Sequence, residues 1–120
     1  MRLNIEKPMF VQIIDMIKDD ILNGTYNVDD LIISTPQIAK LLSVNPTTAQ
    51  KAISVLTDRG IIYKKRGVGM AVTKEAKEMI LSEREKEFFD NIIPNFINEA
   101  RKIGIPDMEL LDIVKEHLHD

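Results

Sequence analysis

The sequence predicts a mainly α-helical fold with one small β-hairpin, and three observations predict it. Apolar residues recur at helical spacing over most of the chain. Two short helical patterns, near 34–42 and 46–59, are joined by the tight turn Ser43-Val44. Directly behind them, two strand-like runs flank a glycine-containing loop, Gly67-Val68-Gly69. Two helices joined by a short turn make a helix-turn-helix, and a hairpin directly after it is a wing. The expected architecture is an N-terminal winged helix-turn-helix over residues 1–74, followed by a C-terminal helical dimerisation extension over 75–120.

The first helix is expected from about 8 to 23. Pro8 opens it, Phe10, Ile13, Ile14, Ile17 and Ile21 share one side, and Gly24 sits just past its end, where a left-handed cap is cheap. Asp15, Asp19 and Asp20 on its outer side read as a solvated face rather than metal ligands. A connector ends in Leu31-Ile32-Ile33, which can form a short strand. Ser34 then caps a second helix, with Gln37 placed for a capping box and Pro36 tolerated in the first turn. Asn45 caps a third helix that begins at Pro46, carries Ala49, Ala52, Ile53 and Leu56 on one side, and ends at Gly60.

Ile61 to Arg66 and Met70 to Thr73 form the two arms of the hairpin. Beyond Lys74 a charged stretch, Ser82 to Glu87, precedes an apolar stripe of Phe88, Phe89, Ile92, Ile93, Phe96, Ile97, Ala100 and Ile103. Pro94 is expected to kink or break that helix. Gly104-Ile105-Pro106 stops it, and Asp107 starts a last helix with Met108, Leu111, Val114 and Leu118 on one face.

Composition narrows the function classes. Aromatic residues are only 5% of the chain, so aliphatic side chains must build the core. There is no cysteine, hence no disulfide, thiolate metal site or cysteine nucleophile. The start, Met1 to Pro8, lacks the apolar run of a signal peptide, and charges interrupt every apolar stretch before membrane-spanning length. A cytoplasmic protein without membrane contact is expected. Both histidines, His117 and His119, lie in the last four residues, where a frayed tail explains them better than a metal site. No Ser/His/Asp set is present, so neither an enzyme nor a cofactor is expected.

The net charge of −3 conceals an asymmetry. Residues 1–74 carry ten Lys and Arg against seven Asp and Glu, while 75–120 carry six against twelve. Within 34–74 the ratio is seven to one. A basic segment inside an acidic chain points to a polyanionic partner for that segment.

Three constellations fit such a partner. The start of the third helix, Asn45-Pro46-Thr47-Thr48-Ala49-Gln50-Lys51, combines free backbone N–H groups and the positive pole of the helix with Thr47, Thr48, Gln50 and Lys51, which hydrogen-bond phosphates or base edges. Capping and solvation alone also account for these residues. The wing holds Lys64, Lys65 and Arg66, whose mutual repulsion a polyanion relieves, and Gly67 and Gly69, which let the backbone turn and approach a phosphate or a minor groove. Charges that guard a hairpin against edge pairing are the alternative. The stripe Phe88, Phe89, Ile92, Ile93, Phe96 and Ile97 is a dimer seam, or packs within the chain. A winged helix used for protein contacts competes with a DNA-binding one, and the basic 34–74 segment favours DNA.

Together these motifs resemble the GntR family of bacterial regulators, and within it the short YtrA-type subfamily. Pro8-Met9-Phe10-Val11-Gln12-Ile13 is similar to the family's opening pattern. Ser34 to Leu42 is similar to its second-helix region, Val44-Asn45-Pro46-Thr47-Thr48 to the subfamily's recognition-helix start, and Ile62 to Met70 to its wing. The resemblance implies a homodimer that represses by occupying double-stranded operator DNA, often near genes for ATP-driven transporters. It places DNA contacts on Ser34, Thr47, Thr48, Gln50, Lys51, Arg66, Gly67 and Gly69. Where the family commonly has Arg, this chain has Pro36, which cannot donate to a phosphate. That phosphate is left without its arginine, or is met by Thr35 or Gln37 instead. The tail is too short for the separate effector domain of larger members, and no effector is specified.

Overall fold

The structure, a computed structural model, describes residues 7–119; the leader reading at Met1–Glu6 lies outside them. Its order is α1 (Met9–Leu22), α2 (Thr35–Leu42), α3 (Pro46–Asp58), β1 (Ile62–Lys65), β2 (Gly69–Val72), α4 (Ala76–Glu87), a π-helical turn (Phe88–Ile92), α5 (Ile93–Lys102) and α6 (Asp107–Leu118). The mainly α fold with one hairpin is as expected. Two compact units are present, Met1–Leu81 and Ser82–Asp120.

In the first unit the aliphatic stripes meet. Ile13, Ile17 and Ile21 of α1, Ile38 of α2, and Ile53 and Leu56 of α3 are buried together. Ala49 and Ala52, fully buried, allow the close approach of helix axes that small side chains permit. Local signals set the helix ends. Ser34 Oγ accepts from Gln37 N, and Gln37 Oε1 accepts from Ser34 N, so the capping box is complete. Asn45 Oδ1 accepts from Thr47 N at 2.8 Å, with Pro46 in the first turn of α3. Ser43 takes the left-handed conformation between the two helices.

β1 and β2 pair antiparallel, with Ile62 opposite Val72 and Lys65 opposite Gly69. Ile62 and Val72 lie in the core while Lys64 and Lys65 are exposed, so the hairpin leaves the core base first and carries its cations outward. Gly69 is therefore a strand residue paired with Lys65, and the three-residue loop falls at 66–68, one position earlier than expected. Gly67, at φ +76°, is the third residue of the turn closed by Val68 N to Lys65 O, a position that requires positive φ in a type II turn. The connector makes a single bridge, Leu31 to Ala71, supported by Ile32 N to Met70 O at 2.9 Å. It thus lies along the free edge of β2.

The sequence pattern missed α4. Ala76 and Ile80, one turn apart, belong to the first unit's core. The rest of the helix is strongly polar, which hides its periodicity. A second correction concerns Pro94. It does not break the stripe: the π-helical turn over Phe88–Ile92 runs into α5 at Ile93 with helical backbone at the junction, so Pro94 lies inside a continuous helical run. Its missing N–H and its ring fall directly after that wider turn. Wider π turns accommodate such an interruption inside an otherwise helical run.

In the second unit Gly104, at φ +80°, ends α5, and Ile105 N bonds Ala100 O. Arg101 pairs with Asp107 at 3.1 Å across the turn into α6. That pairing raises the Arg101 pKa and lowers the Asp107 carboxyl below its ordinary value, chiefly through the hydrogen bond between them. Phe88, Phe89, Ile92, Ile93 and Phe96 are exposed within the single chain, and Ile97 is half-buried.

Candidate nucleic-acid interface

Three segments of the first unit carry the expected site. Ser34, Thr35, Pro36 and Gln37 at the start of α2 line one cleft with Val68 and Gly69 of the wing, so the fold brings these two segments together. Thr47, Gln50 and Lys51 of α3 are exposed, and Thr48 is half-buried. Lys64, Lys65 and Arg66 are exposed, and no carboxylate among the described residues pairs with them. Gly69, at φ +152°, faces Leu31, whose Cδ2 would lie 3.6 Å from an added Cβ.

Several expected contact residues already have partners within the chain. Ser34, Gln37 and Asn45 are occupied in capping, which leaves the amide Nε2 of Gln37 to reach outward. Thr35 Oγ1 donates to Gln50 Oε1 at 3.1 Å, and Gln50 Nε2 donates to Ser54 Oγ at 3.3 Å. The Lys51 ammonium lies 4.0 Å above the Phe10 ring. Pro36, in the first turn of α2, presents neither a cation nor an N–H.

Sequence reasoning missed Ser54 and Phe10. Ser54 had a signal, since it stands four residues after Gln50 on one helix. Phe10 had none, because its approach to Lys51 depends on how α1 packs on α3. Tyr63 and Asp29 also form an unforeseen bond at 2.8 Å between β1 and the connector. Asp29 holds φ +67°, a left-handed conformation that Asp tolerates better than most residues.

Among the described residues, no group of His, Asp and Glu could hold a metal ion, and no helix is long and apolar enough to cross a membrane. His117 Nδ1 lies 2.9 Å from its own helix's Ile113 O.

Known proteins place these features in a lineage. The family described as bacterial regulatory proteins, gntR family, matches residues 10–72. The HTH-type transcriptional repressor YtrA of Bacillus subtilis (strain 168) is 28% identical over 109 residues, which are 91% of this chain and 83% of that protein. A GntR family transcriptional regulator from Listeria monocytogenes is 33% identical with a TM-score of 0.72, over 95% of this chain and 98% of the other. The DNA-binding domain of AraR, solved in complex with operator ORR3, is 25% identical with a TM-score of 0.54, over 61% of this chain and 88% of that one. These proteins are transcription regulators rather than enzymes. With more than half its length matched by the family, and with the capped helix pair and hairpin in the same order, the chain belongs to the GntR family of bacterial transcription regulators.

Proposed function

We propose that the chain is a homodimeric repressor that occupies a twofold-symmetric operator in double-stranded DNA in the cytoplasm. In this reading residues 1–74 bind DNA and 75–120 dimerise. Helix α3 enters the major groove N-terminus first, and Thr47, Thr48, Gln50 and Lys51 meet base edges and phosphates. Ser34, Gln37 and Asn45 flank the same backbone from two helix starts, where N–H groups and the helix dipole favour anions, and Thr35 takes part through its bond to Gln50. Lys64, Lys65 and Arg66 grip phosphates or the minor groove, with Gly67 and Gly69 allowing close approach. Phe88, Phe89, Ile92, Ile93, Phe96 and Ile97 form the seam between subunits.

The observation that carries this reading is the exposed run Lys64-Lys65-Arg66, unpaired with any described carboxylate, in the same compact unit as the exposed start of α3. Repression is supported by the likeness to YtrA, whose name is that of a repressor, and an operator partner by the likeness to operator-bound AraR. The subfamily resemblance extends the reading to a transporter operon. Selection of bound fragments from the source genome, followed by the mass of the bound protein, tests it. Enrichment of a twofold-symmetric sequence bound by two chains is expected. Failure to enrich any sequence overturns it.

A further inference from the structure

We infer that Thr35 and Ser54 position the Gln50 amide to read an adenine, a role that rests on the base-reading assignment of Gln50 above. A primary amide has two acceptor lone pairs and two N–H donors. Thr35 occupies one lone pair at 3.1 Å and Ser54 one N–H at 3.3 Å. One acceptor and one donor remain on an exposed residue. The major-groove edge of adenine offers one acceptor, N7, and one donor, N6–H. Guanine offers two acceptors there, which the remaining pair does not match. Both hydroxyls can donate or accept, so they hold the amide plane whichever way the amide is turned, and the remaining count is the same.

The bracket spans two helices. Thr35 is half-buried at the start of α2, with Pro36 beside it in the same first turn. Ser54 lies on α3 itself, one turn beyond Gln50. A side chain held in its reading geometry before binding loses less conformational freedom on binding, so discrimination rises without a new contact to DNA. Thr35 is thus a positioning residue.

The test uses the full chain. A preferred duplex is selected from random sequence, and affinities are measured for that duplex and for each single base-pair change. Gln50→Ala is expected to flatten the preference at one A·T pair, by about tenfold. Thr35→Val and Ser54→Ala are each expected to flatten the same pair by roughly threefold, leaving other pairs and the salt dependence unchanged, while Thr35→Ser retains the preference. Flattening by Gln50→Ala without any effect of Thr35→Val or Ser54→Ala overturns the positioning role and leaves the base reading intact. A uniform loss across all duplexes in Thr35→Val makes Thr35 a structural or phosphate-contacting residue and also overturns it. A Gln50→Ala profile unchanged at every pair overturns the base reading itself and the inference with it.

Discussion

The ammonium of Lys51 stands 4.0 Å above the ring of Phe10, joining α3 to α1 through a cation–π contact. The ring holds the charge beside the first helix while leaving it exposed. Under the proposed DNA-binding reading, that place assigns Lys51 to the DNA backbone rather than to a base. Lys51→Ala is therefore expected to weaken binding to all sequences alike and to reduce the salt slope by about one. Phe10→Leu keeps the charge, so the slope stays and affinity falls by roughly threefold. Fluorescence anisotropy at several salt concentrations separates the two.

The wing predicts a larger electrostatic effect. Replacing Lys64, Lys65 and Arg66 together with Ala removes three exposed cations that no described carboxylate pairs with. The log–log salt slope should drop by about 0.9 for each phosphate that the wing no longer neutralises. An unchanged slope would mean that the wing does not touch the backbone.

The second unit exposes Phe89 to 65% and Phe96 to 49% in the single chain. A carboxylate placed in a seam built on them would have to be desolvated. Phe89→Glu and Phe96→Glu should each shift the chain to the monomer mass in light scattering. Operator affinity should fall by at least about tenfold, because two half-sites are no longer engaged by one linked molecule. Retention of the dimer mass in both variants would place the seam elsewhere.

Tyr63 donates to Asp29 Oδ1 at 2.8 Å, and this bond, aided by desolvation and the negative charge of Asp29, raises the phenol pKa above its usual value. A raised folded pKa means the proton is held more tightly in the folded chain. The stabilisation is present below the unfolded pKa of about 10 and is lost as pH rises through the folded value. Tyr63→Phe should have a lower Tm than wild type at neutral pH, and the gap should close at strongly alkaline pH. A constant gap would mean that ionisation of Tyr63 does not weaken the fold.

Legibility followed distance along the chain. The caps at Ser34 and Asn45, with Gln37 and Pro46 beside them, could be read directly, because each cap is a bond or a steric fit within three residues. The hairpin could be read for the same reason, since its turn needs a residue at positive φ and Gly67 supplies it. These local signals determined the order of elements and the residues that carry the basic face. α4 could not be read, because its two core positions, Ala76 and Ile80, count only once the rest of the core exists to receive them.

The sequence by itself determined which side chains are proposed to meet DNA, and the tertiary structure decided how they are held. Gln50 is bracketed by Thr35, fifteen positions earlier, and Tyr63 is bound to Asp29, 34 positions earlier. Lys51 rests on Phe10 of another helix. Such contacts arise from the packing of α1, α2 and α3 around Ala49 and Ala52, and from the connector lying along β2. No periodicity or motif encodes them, because they join residues whose neighbourhood is created only by burying the shared core.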